Sequence, residues 1–194
     1  MEKPIGHYNR KKYCLVSLMK PKKTVKELKG RLNIKTGFIN LMPVVFVYGA
    51  IVGLMLSLGG NKEMMLSESS VNIILVLTLG GTLLFTLYWL ITSFLTHTIA
   101  LRYGGKGNYR EYAVLASFPE TGAVIIAILV CWIPLLGAMI TWLMGLIPMI
   151  AKISMVEEEY GLHREKAMVS VIAAHMIFVL GSILLLYLFI NSVF

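Results

Sequence analysis

The chain has 194 residues, 57% of them hydrophobic and only 14% charged, with a mean hydropathy of +0.77, which excludes an ordinary soluble domain and points to an integral membrane protein. A spanning helix needs ~20 mostly apolar residues, so this length holds five or six spans and leaves no second soluble domain. The net charge of +8 is not the footprint of a nucleic-acid binder, because 11 of the 18 Lys and Arg lie in residues 1 to 35, opposed only by Glu2 and Glu27.

A tail of that kind is expected in the cytoplasm beside anionic lipid headgroups. No short apolar core with a small-residue cleavage site follows it, so it does not read as a signal peptide. Residues 1 to 20 are expected as a mostly flexible basic arm with a short apolar patch at Tyr13, Leu15, Val16, Leu18 and Met19. After Pro21, Thr24 and Glu27 have the spacing of a capping box, which predicts a helix start there. Val25, Leu28 and Leu32 fall on one face, with Lys22, Lys23, Lys26, Lys29 and Arg31 around it. That is the pattern of an amphipathic helix lying in the membrane interface with its cations on headgroups; a solvated linker helix is the alternative.

The first span is expected at about 37 to 58, with Gly49, Gly53 and Ser57 as a small-residue packing face. A polar loop follows to Ser70. Residues 71 to 101 form an apolar run too long for one straight crossing, with a bend expected at Gly80 and Gly81. Thr78, Thr82, Thr86, Ser93 and His97 share a stripe turned into the bundle. It reads either as a polar path or as hydroxyls returning bonds to their own backbone.

The stretch Arg102 to Gly122 organises the rest of the chain. Gly104, Gly105 and Gly107 allow positive φ and a quick reversal, while Arg102, Lys106 and Arg110 sit at headgroup level and Tyr103, Tyr109 and Tyr112 anchor the interface. The turn reads as a grip on lipid phosphate or as a docking site for a protein partner. A third span is expected at 112 to 132, a tight connection at Pro134, a fourth span at 135 to 156 kinked by Pro148, a polar loop at 157 to 166 and a fifth span at 167 to 193. The chain thus divides into a basic tail, 1 to 35, and an all-α bundle of five transmembrane helices, 36 to 194. On this layout 17 of 18 Lys and Arg fall on one side and only Lys62 on the other, which implies a cytoplasmic amino terminus and an outside carboxyl terminus. Cys14 and Cys131 then lie on opposite sides, and no disulfide is expected.

Four ionisable residues fall inside the expected spans: His97, Glu120, Lys152 and His175. At ~1.5 Å per helical residue, Glu120 lies ~12 Å beyond Tyr112 and His175 ~13 Å beyond Lys166, with His97 and Lys152 shallower at ~7 Å. Glu120 is therefore expected to pair with His175 or another polar group across the interior, either to lock the packing or as a ligand or proton site. The sequence contains no aspartate and no H-E-x-x-H, its four histidines lack zinc spacing, and the Gly-Gly-Lys-Gly turn lacks the context of a phosphate-binding loop. A non-enzymatic protein without cofactor or metal is the expectation.

Four segments in order carry a resemblance: Pro21 with Thr24, Gly104-Gly105-Lys106-Gly107-Asn108-Tyr109, Ala116-Ser117-Phe118-Pro119, and Tyr160-Gly161-Leu162-His163-Arg164-Glu165-Lys166-Ala167. Over residues ~20 to 190 the chain resembles the Yip-domain family of small five-span membrane proteins. Eukaryotic members of that family are associated with small prenylated GTPases, vesicle formation and Golgi or endoplasmic reticulum membranes. Their long cytosolic amino-terminal regions have no counterpart in this sequence, so the resemblance implies a prokaryotic-type member, with a fold and a membrane location. The expected function is a scaffold that organises anionic lipids or recruits a protein partner in membrane organisation or trafficking. The alternative is a small transporter or channel using a polar path of the second, third and fifth spans, although no internal repeat of the kind many transporters carry is evident. A lipid-active enzyme comes third.

Overall fold

A computed structural model of the protein describes residues 10–59, 68–133 and 136–193, and every regular element among them is helical. In chain order they are α1 (Arg10–Met19), α2 (Pro21–Leu28), α3 (Ile34–Gly59), α4 (Glu68–Leu75), a π-helical turn (Val76–Gly80), α5 (Gly81–Arg102), α6 (Tyr109–Val130), α7 (Leu136–Tyr160) and α8 (Arg164–Val193). Four stretches are long and apolar enough to cross a membrane: Ile34–Met55, Val71–Arg102, Tyr109–Val130 and Arg164–Ser192. The expected fourth span corresponds to α7, which is not in that set. The connection at Pro134 and the stretch 60 to 67, with Lys62, lie outside the described residues.

The bundle is built around α6, which packs against α1, α3, α5 and α7, while α8 closes the far side against α5 and α7. The composition of α6 permits this. Ala113, Ala116, Ser117, Gly122, Ala123 and Ala127 are small enough for several backbones to approach at once. In the most apolar window of α6, 72% of residues are buried, against 22%, 17% and 17% in the other three stretches, whose apolar side chains face outward.

The long second run is irregular where a bend is expected. Five residues of π-helix end at Gly80, and the Gly81 amide reaches the carbonyls of both Leu77 and Thr78. The small face of α3 meets this irregular stretch: a Cβ at Gly49 would come within 2.9 Å of the Leu77 carbonyl oxygen, and one at Gly53 within 3.0 Å of the Ile74 backbone. The threonine stripe resolves to the backbone alternative. Thr78, Thr82 and Thr86 each donate to the carbonyl four residues earlier, at 2.6, 2.5 and 2.7 Å, so these hydroxyls do not line a path.

The amino-terminal region departs most from expectation. Residues 10–19 form a helix, not a flexible arm, and α1 lies directly on α6. Cys14 is buried there, and a Cβ at Gly122 would collide with its carbonyl oxygen. The α2 helix begins a turn before the expected capping box, with Pro21 in its first turn and no side-chain cap. Thr24 donates within the helix to the Lys20 carbonyl at 3.2 Å, and Glu27 accepts from the Tyr13 hydroxyl at 2.7 Å instead of capping. The apolar face of α2 turns toward protein. Val25 and Leu28 pack with Cys14, Val114, Leu115, Phe118 and Met155 in one buried cluster, with Leu32 at its edge, so the expectation that they dip into lipid is overturned.

Candidate functional site

The interior site starts from Pro119, which has no amide hydrogen and so leaves a carbonyl of α6 without its usual donor. Glu120 follows it on the face toward α7. Its Oε1 accepts a hydrogen bond from Lys152 Nζ, forming an ion pair in which Lys152 is 1% and Glu120 6% exposed. The ammonium also stands 5.4 Å from the centre of the Tyr88 ring, a cation–π contact.

Of the four expected intramembrane residues, the structure joins these two and places the others apart. His175 does not reach Glu120; its Nδ1 donates to the Val171 carbonyl at 2.7 Å, and its ring meets Tyr88 edge-on, centres 5.9 Å apart. His97 bonds through Nδ1 to the Tyr160 hydroxyl at 2.8 Å. Glu120 and Lys152 meet although α7 continues to Tyr160 rather than ending near Val156, which puts Lys152 eight residues, or ~12 Å, from the end of its helix.

Beside the pair lies a cavity of about 260 Å³, lined by Glu120, Ala123, Val124 and Ala127 along one face of α6 together with Tyr48, Phe85, Tyr88 and Gly145. Glu120 Oε2 accepts no hydrogen bond from any described residue. The opposite end of the interior is filled by Ala100, Tyr112, Ala116, Val156, Tyr160 and Val171.

A second constellation forms at the end of the bundle where the glycine turn, α2 and the end of α7 meet. The expected polar loop at 157 to 166 is mostly helix: α7 runs through Glu157, Glu158, Glu159 and Tyr160, and α8 starts at Arg164. The three carboxylates take three lysines of α2 in register, Lys22 with Glu157 at 2.5 Å, Lys26 with Glu158 at 3.8 Å and Lys29 with Glu159 at 3.3 Å. Lys23 pairs within α2 with Glu27 at 3.6 Å. Glu159 is the buried member. Lys29 Nζ is near its Oε2 but hydrogen-bonds instead to its backbone carbonyl, at 3.2 Å, and burial raises the Glu159 carboxyl against the opposing pull of the Asn108 amide and Lys29. Glu27 is exposed, and the Tyr13 hydroxyl bond lowers it.

The glycine turn wraps Tyr160. Only Gly104 adopts positive φ, at +87°. Gly105 and Gly107 are needed for space: a Cβ at either would come within 2.9 and 2.6 Å of the Tyr160 side chain. The Lys106 amide donates to the Tyr160 carbonyl at 3.1 Å, and the Asn108 side chain caps α6 by accepting from the Arg110 amide at 2.8 Å. Tyr112, expected at the interface, is fully buried beside Tyr160 with ring centres 5.6 Å apart. Arg31, Arg102, Lys106 and Arg110 are exposed, and none forms an ion pair among the described residues.

Tyr160, Tyr88, Gly122 and the three carboxylates at 157–159 are the residues that sequence reasoning missed. One signal was available: lysines at 22, 26 and 29 keep one helical face, and a run of three glutamates is a matching counter-charge. Among the described residues no three His, Cys, Asp or Glu converge as a metal site would require. The arrangement offers two kinds of chemistry, anion binding at an exposed cationic rim and hydrogen bonding at the Glu120 carboxylate in a largely apolar cavity. It defines a class, a helical protein with several helices fit to cross a membrane. Comparison with known protein families, curated proteins and solved structures gave no match to this chain.

Proposed function

We propose that the protein is a non-enzymatic, five-span membrane protein of the Yip-domain type, with α7 as the fourth span, that organises anionic lipids or a partner at the rim of its bundle. The amino terminus faces the cytoplasm and the carboxyl terminus the outside. The observation that carries this reading is the division of labour among the cations. Lys22, Lys26 and Lys29 are neutralised by Glu157, Glu158 and Glu159, whereas Arg31, Arg102, Lys106 and Arg110 stay exposed around a turn held rigid by Tyr160. Exposed, unneutralised cations are suited to lipid phosphates, at ~1 kcal/mol for each Lys or Arg near the surface.

The test is native mass spectrometry of protein released from nanodiscs of mixed phosphatidylglycerol and phosphatidylcholine. The wild type retains phosphatidylglycerol preferentially, and Arg102→Gln/Lys106→Gln/Arg110→Gln loses up to ~100-fold of that preference. Equal retention of both lipids by the wild type refutes the lipid reading. The second reading, a small transporter or channel, has the cavity beside Glu120 in its favour. Against it, the threonine hydroxyls return to their own helix.

A further inference from the structure

We propose that the cavity beside Glu120 binds a neutral, membrane-dissolved alcohol, with its apolar body against Tyr48, Phe85 and the small residues of α6 and its hydroxyl donating to Glu120 Oε2. The volume, about 260 Å³, is just below the usual range for small-molecule sites, and the walls combine apolar surface with a few polar groups, the Glu120 carboxylate and the tyrosines Tyr48 and Tyr88. The carboxylate is incompletely satisfied. Lys152 engages Oε1, and Oε2 has no donor among the described residues although the residue is only 6% exposed. Oε2 is open to the cavity rather than sealed in the protein, and a ligand hydroxyl supplies the donor it lacks.

Charge selects a neutral ligand. The carboxylate and ammonium already cancel, so a cation in the cavity meets the repulsion of Lys152, and an anion meets Glu120 first. The route selects a lipophilic one. The interior toward Tyr160 is filled, while Gly145, exposed and on the cavity wall, has open space where a Cβ would project. Entry is therefore sideways, from the bilayer. This site is distant in kind from the cationic rim and does not depend on it.

The experiment uses the full chain in nanodiscs with a diazirine-bearing octanol and the matching diazirine-bearing octane, followed by peptide mapping of the photo-adducts. The expected result is saturable labelling of residues 85–88 and 123–127 by the alcohol, competed by 1-octanol, with the alkane labelling at least ~10-fold less efficiently because a hydrogen bond to a charged group is absent. Gly145→Leu adds a side chain at the cavity wall, starting from a Cβ with no described atom within 4 Å, and abolishes labelling. Glu120→Leu/Lys152→Met, which leaves neither a charge nor an acceptor at position 120, reduces labelling by the alcohol toward that by the alkane. Non-saturable labelling of the wild type, or equal labelling by alcohol and alkane, overturns the proposal, and these two measurements need no variant to fold.

Discussion

Breaking the Glu120–Lys152 pair from one side should be far more damaging than removing it altogether. With Lys152 1% and Glu120 6% exposed, neither charge has much access to water if its partner is lost. Two unit charges ~4 Å apart at an effective dielectric of ~20 attract by ~4 kcal/mol, and removing one member of a buried pair typically costs ~3–5 kcal/mol. Glu120→Gln alone and Lys152→Met alone should each fall in that range, with Lys152→Met also losing ~0.5–2 kcal/mol of cation–π contact with Tyr88. The double variant leaves no buried charge and should recover most of the loss, so a double-mutant cycle should give a coupling of ~3 kcal/mol. At ~2–4 °C per kcal/mol for a chain of this size, the single variants should melt ~10 °C below the wild type in detergent at pH 7. Single variants within ~1 kcal/mol of the wild type, or a double variant less stable than both, would refute a tight interior pair.

Three further outcomes follow from the contacts around it. Gly122→Ala puts a methyl group into the Cys14 carbonyl oxygen and should lift α1 from α6 at a cost of ~1–3 kcal/mol; Cys14, whose thiol burial pushes up to about 11, should then react with maleimide at pH 7 at least tenfold faster, and an unchanged rate would show α1 still seated. Lys22→Gln/Lys26→Gln/Lys29→Gln removes three partly exposed ion pairs worth ~0.2–1 kcal/mol each, and the wild type should lose a similar amount between 0.05 and ~1 M salt while the variant shows little salt dependence. Because burial raises the Glu159 carboxyl above its ordinary value of 4.5, the folded state holds that proton more tightly than the unfolded chain. The stability of the wild type relative to Glu159→Gln should therefore fall as pH rises from about 4.5 through the raised value and then level off; a melting-temperature difference that grows over that interval has the wrong sign.

The sequence was informative where a single helix decides the outcome and misleading where two distant segments do. Hydropathy located the apolar runs to within a few residues, and Gly80–Gly81 marked the end of the π-helical irregularity, because both are properties of a continuous stretch. The partner of Glu120 was open between His175 and other groups, because which face of α7 meets α6 is a packing question. The end of α7 was misread because glutamates at 157–159 resemble a loop until the lysines of α2 neutralise them. The same missing contact misdirected α2. Its amphipathic face is real, but amphipathicity only says that Val25 and Leu28 must be covered, and here the cover is α6 and α7.

That substitution of protein for lipid explains the composition of α6. A helix facing hydrocarbon has no use for Ser117, Glu120, Thr121 and Gly122 in succession, yet all four are buried here. Each is accommodated by a different neighbour or by the helix itself: Ser117 and Thr121 donate to their own backbone at 2.7 Å, Glu120 takes Lys152 from α7, and Gly122 admits the backbone of α1. Remove α1 and the floor beneath Gly122 becomes an apolar trough opening beside a buried charge. The amino-terminal helices therefore act as a fourth wall for α6, beside α3, α5 and α7, and Lys22, Lys26 and Lys29 hold that wall against α7 from the rim, where the exposed lysine ends keep the attachment sensitive to salt.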